Sequence, residues 1–206
     1  MQTNIEVANS ALLDINVEEI TGFNDPSKQA RVTKAKFQSS INRVLSMGPW
    51  ICNRTFAILN QAGDTETYGW DYVFNLPNDH LYTRAVIPTN SLNVITAETM
   101  QRLTEYSMGS DSNLYMQVGK KIYSNTRDIT IVYSRSIKDC TQLPEYVLAP
   151  IVKLLAAEIV FPLTQDRQMR ADQLTFYMDE LKIARALNAR EENTAVPIAS
   201  SITVRS

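Results

Sequence analysis

The stretch LLAAEIVFPLTQD, Leu154 to Asp166, is an apolar run with one glutamate in its middle and a proline near its end. The apolar character begins earlier, at Tyr146, and continues to Leu163, so a membrane span is the first reading to test. It fails on charge. A spanning helix needs about 20 residues with few or no charges. This window carries Glu145, Lys153 and Glu158, and Pro150 and Pro162 punctuate it. The segment therefore predicts a buried helix of a globular domain, from Pro144 to Phe161, with no membrane partner.

The rest of the chain agrees with a globular reading. Its 206 residues suit one domain or two small ones at roughly 100–200 residues per domain. Apolar residues make up 44% and charged residues 20%, which excludes the low-hydrophobicity composition of disorder. A net charge of −2 argues against a generally basic nucleic-acid-binding protein. That sum hides an asymmetry. Residues 1–25 hold Glu6, Asp14, Glu18, Glu19 and Asp25 with no basic residue, whereas residues 26–63 hold Lys28, Arg31, Lys34, Lys36, Arg43 and Arg54 with no acidic one. Blocks of opposite sign imply contacts between segments or between subunits. Cys52 and Cys140 are far apart and lack metal-site spacing, so they read as buried or free thiols. The start MQTNIEVANS has neither a basic beginning nor a long apolar core, and no secretory signal is expected.

Periodicity orders the elements. IEVANSALLD, within Asn4 to Asp14, places Val7 or Ala8, Ala11 and Leu12 at helical spacing. In FNDPSKQARV, Asp25 is a suitable N-cap and Pro26 a suitable first helical residue. Ala30, Phe37, Ile41, Val44 and Leu45 give that helix one apolar stripe, and Gly48-Pro49 ends it. After Trp50 the runs CNRTFAILN, DYVFNLP, TRAVIPT, SLNVITA, LYMQV, KKIYSN and DITIVYS are short, rich in aromatic and β-branched residues, and bounded by turn formers, the pattern of antiparallel strands. QVGKKIYSN, with Gly119 at its centre, predicts a hairpin. A last helix is expected from about Asp166 to Glu191, with Leu174, Met178, Leu181, Ala184 and Leu187 on its apolar side. The final NTAVPIASSITVRS cannot form a core of its own and reads as an arm.

The predicted fold class is α+β: a four-helix bundle from residues 1–50 and 137–192, an antiparallel β lobe inserted at 51–136, and an extended C-terminal arm at 193–206. In the arm, Val196, Ile198, Ile202 and Val204 are apolar, with Arg205 beside them, while Pro197 and the Ser200-Ser201 pair oppose a helix. Such a segment is suited to adding to a partner's surface.

Chemistry is sparse. His80 beside Asp79 could be a base with an orienting carboxylate, but neighbours in a loop rarely face each other and no recognisable nucleophile motif accompanies them. Glu18-Glu19 and Glu191-Glu192 are sequence neighbours rather than the separated carboxylate pair that glycoside cleavage requires. Six glycines supply no phosphate-cradling motif, and one histidine with two distant cysteines supplies no metal site. No enzyme, cofactor or metal is expected. The basic residues Lys28, Arg31, Lys34 and Lys36 form the one electrostatic feature that could meet phosphate or an acidic partner; the simpler reading is a solvated helix face.

Several stretches, in this order, resemble the tail tubular protein A family, the head-to-tail adaptors of short-tailed bacteriophages. They are ANSALLDINVEEITGFNDPSKQARVTKAKFQSSINRVLSMGPW, WDYVFNLPNDHLYTRAV, GKKIYSNTRDITIVYSR and LPEYVLAPIVKLLAAEIVFPLTQDRQMRADQLTFYMDELKIARALNARE. The most specific parts are the Asn24-Asp25-Pro26-Ser27 helix start, Pro49-Trp50, the Leu76-Pro77-x-Asp79 turn, and LAAEI to PLT-x-D followed by ARALNARE. Ile51 and Cys52 stand before Phe56 where the family tends to place an aromatic residue sooner, and residues 98–112 match no part of it. The resemblance implies a virion tail protein assembled in the host cytoplasm. It implies twelve copies in a ring under the portal protein, viral DNA passing through the channel, and a tail nozzle protein docked below. It also makes the portal, or a neighbouring subunit, the partner of the arm. A tail-associated cell-wall or polysaccharide hydrolase is the alternative.

Overall fold

The computed structural model describes residues 1–63, 68–89 and 115–194. Over these residues the fold is α+β, with four helices and two small antiparallel sheets. Helices α1 (Asn4–Leu13) and α2 (Lys28–Ser46) precede strands β1 (Arg54–Ile58), β2 (Tyr72–Asn75), β3 (His80–Pro88), β4 (Met116–Val118), β5 (Lys121–Ser124) and β6 (Ile129–Arg135); α3 (Glu145–Thr164) and α4 (Arg167–Thr194) follow.

The opening stretch is α3, and the other three helices each pack against it. Val147, Leu148, Ile151, Leu154, Leu155, Ile159 and Val160 are buried around much of its circumference, because α1, α2 and α4 cover different sides of it. The helix runs through Pro150 and Pro162, ending three residues beyond Phe161, at Thr164. Gln165 then takes a left-handed conformation with φ of 60° and closes the helix.

Local chemistry sets the helix starts. Thr3 and Glu6 form a reciprocal capping box on α1, the Thr3 hydroxyl accepting from the Glu6 N–H and the Glu6 carboxylate accepting from the Thr3 N–H. The expected Asp25 cap of α2 is replaced by Ser27, whose hydroxyl accepts from the Ala30 N–H. Asp25 is engaged elsewhere, its carboxylate accepting from the Thr21 N–H at 2.8 Å and from the Thr21 hydroxyl. The helix accordingly begins at Lys28 instead of Pro26. Asp166 caps α4 by accepting from the Met169 N–H.

On α4 the phase of the apolar stripe differs from expectation. The buried positions are Gln173, Tyr177, Leu181, Ala184 and Asn188, while Leu174, Met178 and Leu187 are exposed. Two polar residues sit in the true stripe because they hydrogen-bond the neighbouring chain: Gln173 donates to the Asp14 carbonyl, and Asn188 bridges Pro49 and Ile51. The helix also continues to Thr194, so Asn193 and Thr194 belong to it and not to the arm. No proline or glycine stands before Pro197 to stop it earlier.

The first sheet has order β1-β6-β3 and the second β2-β5-β4, all antiparallel. Gly119, at φ +58°, takes the first central position of the two-residue β4–β5 hairpin, where a left-handed backbone suits glycine. The expected strand SLNVITA, residues 91–97, lies outside the described residues. Leu59, Phe74, Leu76, Ile122, Ile129, Ile131 and Tyr133 make a core between the sheets, separate from the larger helical core.

A polar seam joins the first sheet to the helices. The Arg84 guanidinium donates to the Trp50 carbonyl, the Asn53 side chain and the Ser134 hydroxyl, and the Tyr82 hydroxyl donates to the Gly48 carbonyl. Beside them, Gln38 of α2 reaches Asn42, Ser136 and the Ile137 carbonyl.

Candidate functional site

The basic residues Lys28, Arg31, Lys34 and Lys36 are all exposed on α2, but they do not form one face. Lys36 turns toward α3, where it and Arg43 flank Glu158 at 3.9 and 3.3 Å. The lone glutamate of the apolar stretch is thus answered from the acid-free segment. Lys34 donates to the Asn24 side chain at 2.9 Å. Lys28 and Arg31 have no hydrogen-bond or ion-pair partner among the described residues; Lys28 stands opposite the buried stripe of α2 and Arg31 to one side of it.

Three of the five acids of the first block are engaged, two of them within their own segment. Glu6 serves the cap, Asp25 serves Thr21, and Asp14 pairs with Lys153 at 2.8 Å. Hydrogen bonds from Thr3 and from Thr21 hold the Glu6 and Asp25 carboxyls below their ordinary pKa values. Among the described residues no ion pair joins residues 1–25 to residues 26–63, so no direct charge pairing links the two blocks there. Glu18, Glu19, Lys28 and Arg31 remain exposed.

A second surface is apolar. Phe176, Ile183 and Leu187 of α4 recur at helical spacing and are exposed, Ile183 by 55%; Leu174 and Met178 flank the buried stripe on its other side. This surface was not foreseen, because α4 carries apolar residues on more than one face and the sequence pattern does not say which is covered. A third lies on β1, where Phe56 and Ile58 are exposed. The arm residues Val196, Ile198, Ile202, Val204 and Arg205 lie outside the described residues.

His80 and Asp79 do not pair with each other as base and orienting carboxylate. The His80 Nε2 lies 2.9 Å from the Thr83 hydroxyl and the ring stacks on Tyr133 at 5.6 Å. The Asp79 carboxylate accepts instead from the Tyr133 hydroxyl at 3.1 Å. Burial lowers the pKa of the imidazole, partly opposed by the Asp79 charge. Burial and the bond to Asp79 push the Tyr133 phenol up to about 12. These groups clasp the start of β3 to β6. Burial likewise pushes the Cys52 and Cys140 thiols up to about 11, which leaves little nucleophilic thiolate near neutral pH. Among the described residues no cluster of three or more His, Cys, Asp or Glu could hold a metal ion. An open groove of about 320 Å³ lies at the ends of β1 and β2 and is lined by Ile58, Leu59, Asn60, Gln61, Asn75, Leu76, Pro77 and Asn78. It offers amides and apolar surface, with no ionisable side chain in its lining.

Among the described residues one helix, Glu145–Thr164, is long and apolar enough to cross a membrane in spite of its charges, so the expectation that charge alone excludes a span does not hold; just over half of its apolar window is buried within the protein. No protein-family model matches the chain, and no curated protein matches its sequence.

Proposed function

We propose that the chain is a structural subunit of a short-tailed phage virion, a head-to-tail adaptor. Twelve copies would form a ring between portal and tail nozzle, with DNA passing through the channel. In this reading the helices act as a four-helix bundle and the β lobe is an insertion that makes axial or lateral contacts. The observation that carries it is the unlike chemistry of the outer surfaces of one subunit. Cationic Lys28 and Arg31 stand out on α2, exposed acids remain at Glu18 and Glu19, and apolar Phe176, Ile183 and Leu187 stand out on α4. Ring closure brings two different surfaces of identical copies together at every interface, and separated charge fixes their register. The sequence resemblance supplies the partners, with the arm residues Val196, Ile198, Ile202, Val204 and Arg205 as contacts to portal or neighbour.

The test is assembly on isolated portal rings of the same phage, followed by sedimentation and electron microscopy. The expected product is a ring of twelve subunits. Arg31→Glu with Lys34→Glu weakens attachment and reduces its dependence on salt, since screening acts on exposed charges. A subunit that stays monomeric beside portal rings, or a double variant that assembles normally at every salt concentration, overturns the respective part of the reading.

A further inference from the structure

Helix α4 carries more apolar surface than its own subunit covers. Phe176, Ile183 and Leu187 follow one another at intervals of seven and four residues, so they form one line along the helix. That line is turned by roughly 100° from the buried stripe of Gln173, Tyr177, Leu181, Ala184 and Asn188. Phe176 is 50%, Ile183 55% and Leu187 37% exposed. Lys153, itself paired with Asp14, lies over the Phe176 ring at 5.8 Å from its centroid, which holds the ring in place.

Charges close the line at both ends, with opposite signs. Asp172 stands one turn before Phe176 and Arg190 one turn after Leu187, and both are exposed. Between these ends, Asp179 is paired with Lys182 at 3.0 Å, and Glu180 is partly covered at the border with the buried stripe. Acids on this face oppose docking on an anionic lipid surface, which selects helices rich in lysine and arginine.

The order acid, apolar, base is complementary to its own reverse. Two copies of α4 laid antiparallel, about a two-fold axis between residues 181 and 182, bring Phe176 of each against the partner's Leu187 and the two Ile183 side chains together at the centre. Asp172 then lies at the level of the partner's Arg190, once at each end of the pair. A parallel pairing would set acid against acid and base against base. With five N–H donors, the Arg190 guanidinium can take this carboxylate beside any group that it meets in its own chain.

We infer that α4 is a self-recognition surface: two copies of the free chain pair antiparallel through Phe176, Ile183 and Leu187, and reciprocal Asp172–Arg190 contacts fix direction and register. One helix per copy offers less than the roughly 800 Å² per partner that stable complexes bury, so the pair is reversible and its population grows with concentration. The inference concerns the free chain and does not rest on the adaptor reading. A ring joins unlike surfaces, so in an assembling ring the pair has to part before α4 meets another face.

Sedimentation velocity on the full chain, at rising concentration and low salt, tests it. A monomer–dimer equilibrium is expected. Asp172→Arg and Arg190→Asp each weaken it roughly fivefold or more, and the double variant, with both charges exchanged, returns it to within about twofold of the original. Ile183→Asp abolishes the dimer and leaves the melting temperature of the monomer nearly unchanged, because the side chain is exposed. Should that variant fold poorly, the charge exchange alone decides. A chain that stays monomeric, a dimer indifferent to Ile183→Asp, or a double variant that pairs no better than the single ones overturns the inference. Growth of the free chain past the dimer into rings or filaments also overturns it, since unlike surfaces then meet.

Discussion

Helices α3 and α4 are antiparallel neighbours of opposite character. α3 is apolar nearly throughout and covered by three other helices. α4 is longer, polar over most of its surface, and covered along one narrow stripe that includes Gln173 and Asn188. The comparison shows two ways to fasten a helix. α3 is held by packing, where any loss of volume or insertion of charge is felt on all sides. α4 is held along one line by fewer apolar residues together with polar clamps to Asp14, Pro49 and Ile51, leaving its other apolar residues free to meet something else.

The largest effect expected from breaking this contrast is at Leu155, which is fully buried on α3. Leu155→Asp places an unpaired charge where water cannot reach it, at a cost on the order of several kcal/mol, comparable with the whole stability of a small domain. Insoluble or unfolded protein is the expected outcome, and a normal thermal melt would show that α3 is not the centre of the core. Next is Asn188→Ala on α4, which leaves the Ile51 N–H without its acceptor and the Pro49 carbonyl without its donor. A loss of about 1–3 kcal/mol in denaturant unfolding is expected; an unchanged midpoint would mean that apolar packing alone holds this helix.

Glu158→Gln removes the charge that Lys36 and Arg43 flank. Both cations are about half exposed, so the cost is expected at about 0–1 kcal/mol, and smaller still in high salt. A loss as large as that of Asn188→Ala would place this cluster among the main fastenings of α3. The smallest stability effect is expected from Phe176→Ser with Ile183→Ser on the outer side of α4, within about 0.5 kcal/mol per site. Under the proposed adaptor reading the same changes weaken ring assembly, read by sedimentation. If they lower the melting temperature of the monomer markedly, the outer face contributes to the fold itself.

What could be read from the sequence follows the same contrast. The existence of all four helices was legible, because apolar spacing and caps are local signals; so were the described strands of the lobe and the Gly119 hairpin. The Asp25 cap was misplaced by two residues because Asp25 and Ser27 are both good caps, and only the contact of Asp25 with Thr21 decides between them. The stripe of α4 was read as the most apolar line along the helix, whereas the covered line is the one bearing Tyr177, Gln173 and Asn188. Their partners Asp14, Pro49 and Ile51 are more than a hundred residues away in sequence, and no periodicity encodes that distance. The site was less legible than the fold. Lys28 and Arg31 are exposed, Lys36 serves α3, and the apolar outer faces of α4 and β1 have no signal in the sequence pattern that separates them from covered faces.

Trp50 has a further use. Its ring is fully buried in the helical core, its Nε1 donates to the Val44 carbonyl at 2.8 Å, and a Cβ at Gly48 would lie 3.1 Å from it. The chain's other tryptophan, Trp70, is half-buried just ahead of β2. The molecule therefore carries one dye in each half, a shielded one that emits toward the blue and a wetter one that emits toward the red. The colour of its fluorescence during unfolding tells whether helices and lobe come apart together or in turn.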